Sequence, residues 1–434
     1  MTIQLTPGDL VEIIIKHTDS VETVSGTVLQ RAAIFDPSIV ILKLTTGYNI
    51  GIKKDTIVSS KVIEPYKKPV MPASTHAVNP ALPTVALLSF GGTISSKVDY
   101  RTGGVVAGYT AQDFYDMIPE LSTIANIRAK HCMQIMSEDM TTVEWSKMAS
   151  EIAPLLNDSS ISGIVVTQGT DTLHYSTSAM SFALGKLSKP VVFTAAQRSI
   201  DRGSSDAFLN LLCAVKAAAS WNGASVVTCM HESSSDDSCI LVRGTKVRKM
   251  HTSRRDSFRP INEQALARIQ ANGNITPINT NHAVRNQTND AIDASVKPIF
   301  DPHVGLLLIH PGISPKIVDY FISNGYKGLV VAATALGHVP LQMLEPLARA
   351  RKGGMHIVVA SQTIYGRVHP NVYSRLRDMS IGAQLLFASD MLVETAFTKL
   401  SWLIANEPTR VEELFLTNMH GELVLDIDEK SYLN

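Results

Sequence analysis

From the first residues to about position 65, apolar and polar positions alternate in short runs, DLVEIIIKHT, SGTVLQRAAI and SIVILKLTTGYNIGIKK, broken by Gly, Pro and Asp. Alternation with period two and turn residues between the runs is the mark of strands with one buried face. It predicts a small antiparallel β-barrel, SH3-like in size, over residues 1–65. The pattern then lapses. EPYKKPVMPASTHAVNPALP carries five prolines and almost no periodicity, so residues 66–83 read as an extended linker. From Thr84 the rhythm changes again: strand-like runs (TVALLSF, GIVVTQG, PVVFTAA, ASVVTCM) alternate with longer helical ones (TVEWSKMASEIAPLLN, DTLHYSTSAMSFALGKL, DAFLNLLCAVKAAASW). Such alternation predicts α/β architecture, a parallel sheet covered on both faces with right-handed crossovers. NHAVRNQTNDAIDASVKP interrupts it, and VGLLLIH, GLVVAAT and HIVVASQ restart it. The expected plan is two α/β domains, at 84–285 and 304–434, joined by a linker at 286–303.

Composition adds bounds to this plan. A chain of 434 residues exceeds one ordinary domain, and 45% hydrophobic with 18% charged residues suits a globular enzyme with a large core. The formal charge is zero, so bulk electrostatics announces no nucleic acid. Cys132, Cys213, Cys229 and Cys239 lack paired ligand spacing and read as reduced thiols. No apolar run reaches the roughly 18 residues of a membrane span, and MTIQLTPGDLVEIIIK lacks the basic-then-apolar order of a signal peptide, so a cytoplasmic location is expected.

In an open α/β sheet, ligands bind beyond the carboxyl ends of the strands. Two Gly-Thr corners stand at such ends: Gly92-Thr93 after TVALLSF, and Gly169-Thr170-Asp171 after GIVVTQ. They could converge on one crevice. Equally, Thr170 or Asp171 could be the N-cap of the next helix, with Gly92 only letting the chain turn.

SFGGTISS (89–96), VVTQGTDTLHYS (165–176), AAQRSIDRGSSDAFLNL (195–211) and RKMHTSRRDSF (248–258), with the helical close ASDMLVETAFTKLSWLI, resemble in order and spacing the asparaginase family with threonine nucleophiles. The additional N-terminal segment, with LTPGDLVEI and LKLTTGYNIGIKKDTI, the proline-rich linker and RGTKVRKMHTSRRDSFRPI resemble the family of D-type subunits of archaeal glutamyl-tRNA(Gln) amidotransferases. The resemblance implies two asparaginase-like α/β domains behind the small barrel. It implies a glutaminase subunit that supplies ammonia to a partner, the amidotransferase's E-type subunit, which amidates Glu-tRNA(Gln) using ATP and Mg while holding most of the tRNA. This chain would need no cofactor or metal of its own, and would be a homodimer within a heterotetramer. A freestanding asparaginase with L-asparagine in place of L-glutamine, or a silent scaffold, are the alternatives.

By the family pattern Thr93 is the attacking residue and Tyr100 shares or relays its proton. Thr170, Asp171 and Lys249 form a second set, with the lysine as base toward Thr170. The family's lysine stands nine positions before the phenylalanine of the D-x-F close, which selects Lys249 over Lys246; the latter reads as a solvated strand-end charge. A basic lysine must sit off the surface. Ser137 and Glu138, in QIMSEDMT, are expected with Asp171 to grip the substrate's α-groups, although Ser137 and Asp139 could also cap the helix that begins near Thr141. Backbone N–H groups near Gly92 and Gly169 are the oxyanion donors expected. The cations between Arg243 and Arg255 could instead meet phosphates. His174, His251, His310 and His338 lack metal-ligand spacing and read as structural or solvated. YRTGGVVAG lacks the G-x-G-x-x-G register and a Walker lysine, and reads as a lid over the substrate.

Overall fold

The computed structural model describes residues 5–29, 36–46, 48–66, 78–92, 94, 96–99, 104–107, 111–198, 200, 204–286, 296–427 and 429–432, with backbone alone at 96–99, 104–107 and 111–112. Thr93 and Tyr100 lie outside the described residues, as do 67–77 of the first expected linker and 287–295 of the second. The chain divides into two compact units, 1–76 with 96–107, and 77–95 with 108–434.

In the first unit, strands β1 (Leu10–Lys16), β2 (Val21–Val28), β3 (Ile39–Leu44), β4 (Asn49–Lys53) and β5 (Ile57–Glu64) form one antiparallel sheet in the order β4-β3-β2-β1-β5. Period two decides its core: Val11, Ile13 and Ile15 of β1 are buried with Val24, Val40, Leu42 and Ile52. A separate hairpin, β7 (Ser96–Asp99) with β8 (Gly104–Ala107), also belongs to this unit.

The second unit is built on an eight-stranded sheet of β6 (Thr84–Ser89), β9 (Asn126–His131), β10 (Ile161–Thr167), β11 (Val191–Thr194), β12 (Val226–His231), β13 (Ser238–Arg243), β16 (Ala267–Gln270) and β17 (Ile275–Pro277), in the order β17-β16-β13-β12-β11-β10-β6-β9. From β9 to β12 all neighbours are parallel. Helices α1 (Ala111–Met117), α2 (Thr142–Leu156), α3 (Leu173–Ala183) and α4 (Ala207–Ser220) occur within this region. Because both faces are covered, the strands are apolar throughout: Ala86 and Leu88 join one core with α2 and α3, and Val85 and Leu87 join another with α4. β13, β16 and β17 run antiparallel, against the all-parallel expectation. Only Glu232–Asp237 lies between β12 and β13, too short for the crossover that a parallel pair requires.

β18 (Val304–Leu308), β19 (Gly328–Ala333), β20 (His356–Ser361) and β21 (Leu386–Phe387) form a second, wholly parallel sheet. It is accompanied by α5 (Lys316–Ser323), α6 (Leu344–Lys352), α7 (Ser374–Arg377), α8 (Val393–Asn406) and α9 (Val411–Phe415). One apolar cluster runs from Met148, Met180 and Phe182 through Ala396 and Leu400 of α8 to Val330 and Val358 of this sheet. Across that packing the Ser178 and Thr398 hydroxyls are hydrogen-bonded at 2.7 Å. Among the described residues no helix is long and apolar enough to cross a membrane.

Candidate active site

The carboxyl ends of β6, β9 and β10 converge because two glycines let them. Phe90 N–H donates to Thr167 O at 2.8 Å, joining the corner after β6 to the end of β10. Gly91 and Gly92 then have φ of +99° and +84°, values disfavoured for any residue with a Cβ. A Cβ on Gly92 would stand 2.5 Å from Gly169 N, and one on Gly91 would stand 2.3 Å from Ile135 O. A side chain at either point would push apart the corners that precede Thr93 and Thr170. The two expected oxyanion corners, Gly92 and Gly169, are therefore neighbours.

The hydroxyl of Thr170 lies 2.8 Å from Lys249 Nζ, and the same amine donates to Asp171 Oδ1 at 2.6 Å. Thr170 Oγ1 is also 3.4 Å from Asp171 Oδ1. The lysine side chain is only 10% exposed while that of Asp171 is 61% exposed, so the amine is withdrawn and the carboxylate faces solvent. Lys249 reaches this point from β14 (Val247–Lys249), a three-residue strand paired with β15 (Phe258–Pro260), with Lys249 opposite Phe258. The capping alternative fails here. Thr172 is the N-cap of α3, without a side-chain cap bond, and its hydroxyl goes instead to Ser137 O at 2.6 Å. Thr170 and Asp171 leave the helix end and meet the lysine.

Ser137 is buried at the same corner. Its Oγ accepts from Asp171 N–H at 3.2 Å, and a Cβ on Gly169 would stand 2.8 Å from that oxygen. Glu138 is exposed on the one-turn helix Ser137–Asp139. Neither Ser137 nor Asp139 caps α2. Thr141 does, in a capping box with Glu144, because its hydroxyl and N–H stand at the helix start three residues before the carboxylate. That leaves Ser137 to bind the α3 corner.

Lys246 is not a solvated charge. It is fully buried and paired with Asp390, a residue 144 positions away, and burial holds its pKa below the usual lysine value. The rest of the basic run is likewise paired: Arg243 with Glu263 at 2.9 Å, Arg248 with Glu394, Arg254 with Asp256 at 2.8 Å, and Arg255 with Asp236 at 3.0 Å. His174 is buried on α3, its pKa pushed down to about 3 by burial and then by Arg248 and Lys249 nearby. Beside it, burial pushes Tyr175 up to about 12. His251 and His310 are exposed, and Cys132 is half-buried while Cys213, Cys229 and Cys239 are buried, all as free thiols. Among the described residues no group of three His, Cys, Asp or Glu is placed to hold a metal ion.

The sequence reading gave no site role to Gln168, His174, Arg248 or Glu394; His174 lies near Arg248 and Lys249, and Arg248 pairs with Glu394. Gln168 is fully buried, with its Nε2 3.3 Å from Gly169 O. The available signal was charge in apolar context, as in MLVETAF, where Glu394 interrupts a helix that is otherwise buried.

Three family profiles match consecutive parts of the chain: the GatD N-terminal domain at 5–63, "Asparaginase, N-terminal" at 84–282, and the "Glutaminase/Asparaginase C-terminal domain" at 303–415. The D-type subunit of the glutamyl-tRNA(Gln) amidotransferase of Thermococcus kodakarensis is 40% identical over 96% of this chain and 94% of its own. The corresponding protein from Methanobrevibacter smithii is 41% identical over 99% and 97%. Among solved structures, the thermostable L-asparaginase from Thermococcus kodakarensis superposes with a TM-score of 0.67 at 23% identity, covering 79% of this chain and 99% of that one. At that identity the likeness is one of fold.

Proposed function

Because the chain belongs to the family of D-type glutamyl-tRNA(Gln) amidotransferase subunits, we propose that it is the glutaminase of a tRNA-dependent amidotransferase, releasing ammonia from glutamine for a partner subunit that amidates Glu-tRNA(Gln) with ATP. The observation that carries this reading is the 2.8 Å contact between Lys249 Nζ and the Thr170 hydroxyl, beside the Gly92 corner.

Thr93, one residue beyond that corner, attacks the carboxamide carbon, and Tyr100 relays its proton to the departing nitrogen. The C–N bond breaks, ammonia leaves and the acyl group stays on the Thr93 oxygen. Hydrolysis of that ester uses the second set. A neutral Lys249 accepts the Thr170 proton across the same 2.8 Å, and Thr170 in turn draws a proton from the attacking water; the ester C–O bond then breaks, the acid product leaves and the proton is returned to the Thr93 oxygen. Asp171 orients the amine and offers its exposed carboxylate to the substrate's ammonium group, with Ser137 and Glu138 beside it. N–H groups at Gly92 and Gly169 receive the developing oxyanion. The chain acts as a homodimer within a heterotetramer with its E-type partner. A Thr93→Ala variant is expected to lose glutamine hydrolysis, and one that hydrolysed glutamine at the normal rate would remove the nucleophile from this scheme.

A further inference from the structure

β14 is a short support for a base. It has three residues, its partner β15 ends in Pro260, which has no N–H to give, and its register is Val247 with Pro260, Arg248 with Arg259 and Lys249 with Phe258, extended at its ends by Ile261 N–H to Lys246 O at 2.8 Å and Met250 N–H to Ser257 O at 2.6 Å. The side chains add to that ladder. In an extended segment alternate residues point to opposite faces, so Arg248 and Lys249 take opposite faces of β14, while Lys246 stands in the turn that leads into it. Lys246 and Arg248 both pair with the start of α8: Lys246 with Asp390, and Arg248 with Glu394, four residues apart on either side of the helix N-terminus. Each acidic partner is buried, Asp390 at 2% and Glu394 at 5% exposure. Glu394 lies in the first turn of α8, where the helix N-terminus favours negative charge. Thr395 of that turn donates to Thr245 O at 2.8 Å, and Asp390 Oδ1 accepts Val424 N–H at 3.0 Å.

We infer that Glu394, acting through Arg248, and Asp390, acting through Lys246, are positioning residues for Lys249: the start of α8 clamps one face of β14 so that its other face presents the amine to Thr170 and Asp171. The inference rests on the reading of Lys249 as the base. His174 fills the space between clamp and site, its Nε2 3.9 Å from Glu394 Oε1. The second sheet, which packs on α8, thereby sets the geometry of a site built at the ends of the first. A displacement of about 1 Å at a reacting group is enough to cost on the order of 100-fold in rate.

The test is steady-state glutamine hydrolysis by the full-length chain with its partner subunit, as kcat, KM and pH profile, alongside thermal melts. The groups around Lys249 are Asp171 and His174 from the α3 side, and Arg248, Glu394, Lys246 and Asp390 from the α8 side. In Glu394→Gln the shape is kept and the charge removed. We expect kcat to fall by about 10- to 100-fold with KM nearly unchanged. The acid limb of the kcat profile should move to lower pH, because Arg248 is left unpaired beside the lysine and disfavours its protonated form. If Glu394→Gln melts early, Arg248→Met/Glu394→Met removes both charges, leaves neither buried alone, and is expected to show the same loss of kcat. Lys249→Met serves as the reference. If it abolishes turnover while a folded clamp variant keeps wild-type kcat and pH profile, the positioning role is wrong. If Lys249→Met itself remains active, the reading of the base is wrong and the clamp inference goes with it.

Discussion

Lys249 and His174 lie close together in the fold and carry opposite predictions. Lys249 is asked to carry protons, so Lys249→Met should lower kcat by about 10²- to 10⁴-fold, the usual contribution of a general base, with little change in KM. A rise confined to KM would make it a binding group. His174 is asked to stay neutral. An unfolded histidine titrates near 6.5 and the folded ring near 3, so between those values the unfolded chain binds the extra proton. Its contribution to stability is therefore full above pH 6.5 and drains away as pH falls toward 3, at up to about 1.4 kcal/mol per pH unit. His174→Gln should lessen the drop in denaturant midpoint between pH 7 and pH 4. An unaltered drop would mean that the ring does not titrate as its burial dictates. At this scale the sequence was partly legible. The family resemblance, through its interval of nine positions to Phe258, selected Lys249 over Lys246, but the partner that buries Lys246 is 144 residues away and left no local trace. For Thr170 and Asp171, capping and chemistry shared one signature until the N-cap was seen to be Thr172.

Among elements, the corners do more than the strands they end. β6 and β10 were readable as continuous apolar runs because both faces of the sheet are covered, and their parallel pairing follows from the crossovers. The antiparallel edge was not readable as such, since β13, β16 and β17 are short and lie among turn residues. Gly169 tests the convergence of corners directly. An added methyl would stand 2.8 Å from Ser137 Oγ, and overpacking of this kind costs about 1–3 kcal/mol. Because that oxygen also accepts the Asp171 N–H, Gly169→Ala should raise KM for glutamine as well as lower the melting temperature. A variant with wild-type KM would separate Ser137 from substrate binding.

Across the whole molecule, the second unit is held by a continuous apolar cluster with buried ion pairs set within it. Such pairs add little over a hydrophobic replacement, but breaking one strands a charge. Lys246→Met should therefore destabilise the chain by about 3–5 kcal/mol, and Lys246→Met/Asp390→Asn should recover most of it, the amide oxygen still accepting Val424 N–H. Equal melting temperatures for the two variants would contradict that account. The α/β class and the separate N-terminal sheet were legible because periodicity is a local property. The clamp of α8 on β14 was not, because it joins residues that only the tertiary fold brings together.

The central claim is that this chain makes ammonia for another protein of the same complex. It is tested by ammonia release from glutamine and from asparagine by the purified chain, alone and then with the proposed E-type subunit, Glu-tRNA(Gln) and ATP. Slow glutamine hydrolysis alone that rises sharply in the full mixture is the predicted result. Fast asparagine turnover, indifferent to the additions, would contradict it and leave a freestanding asparaginase.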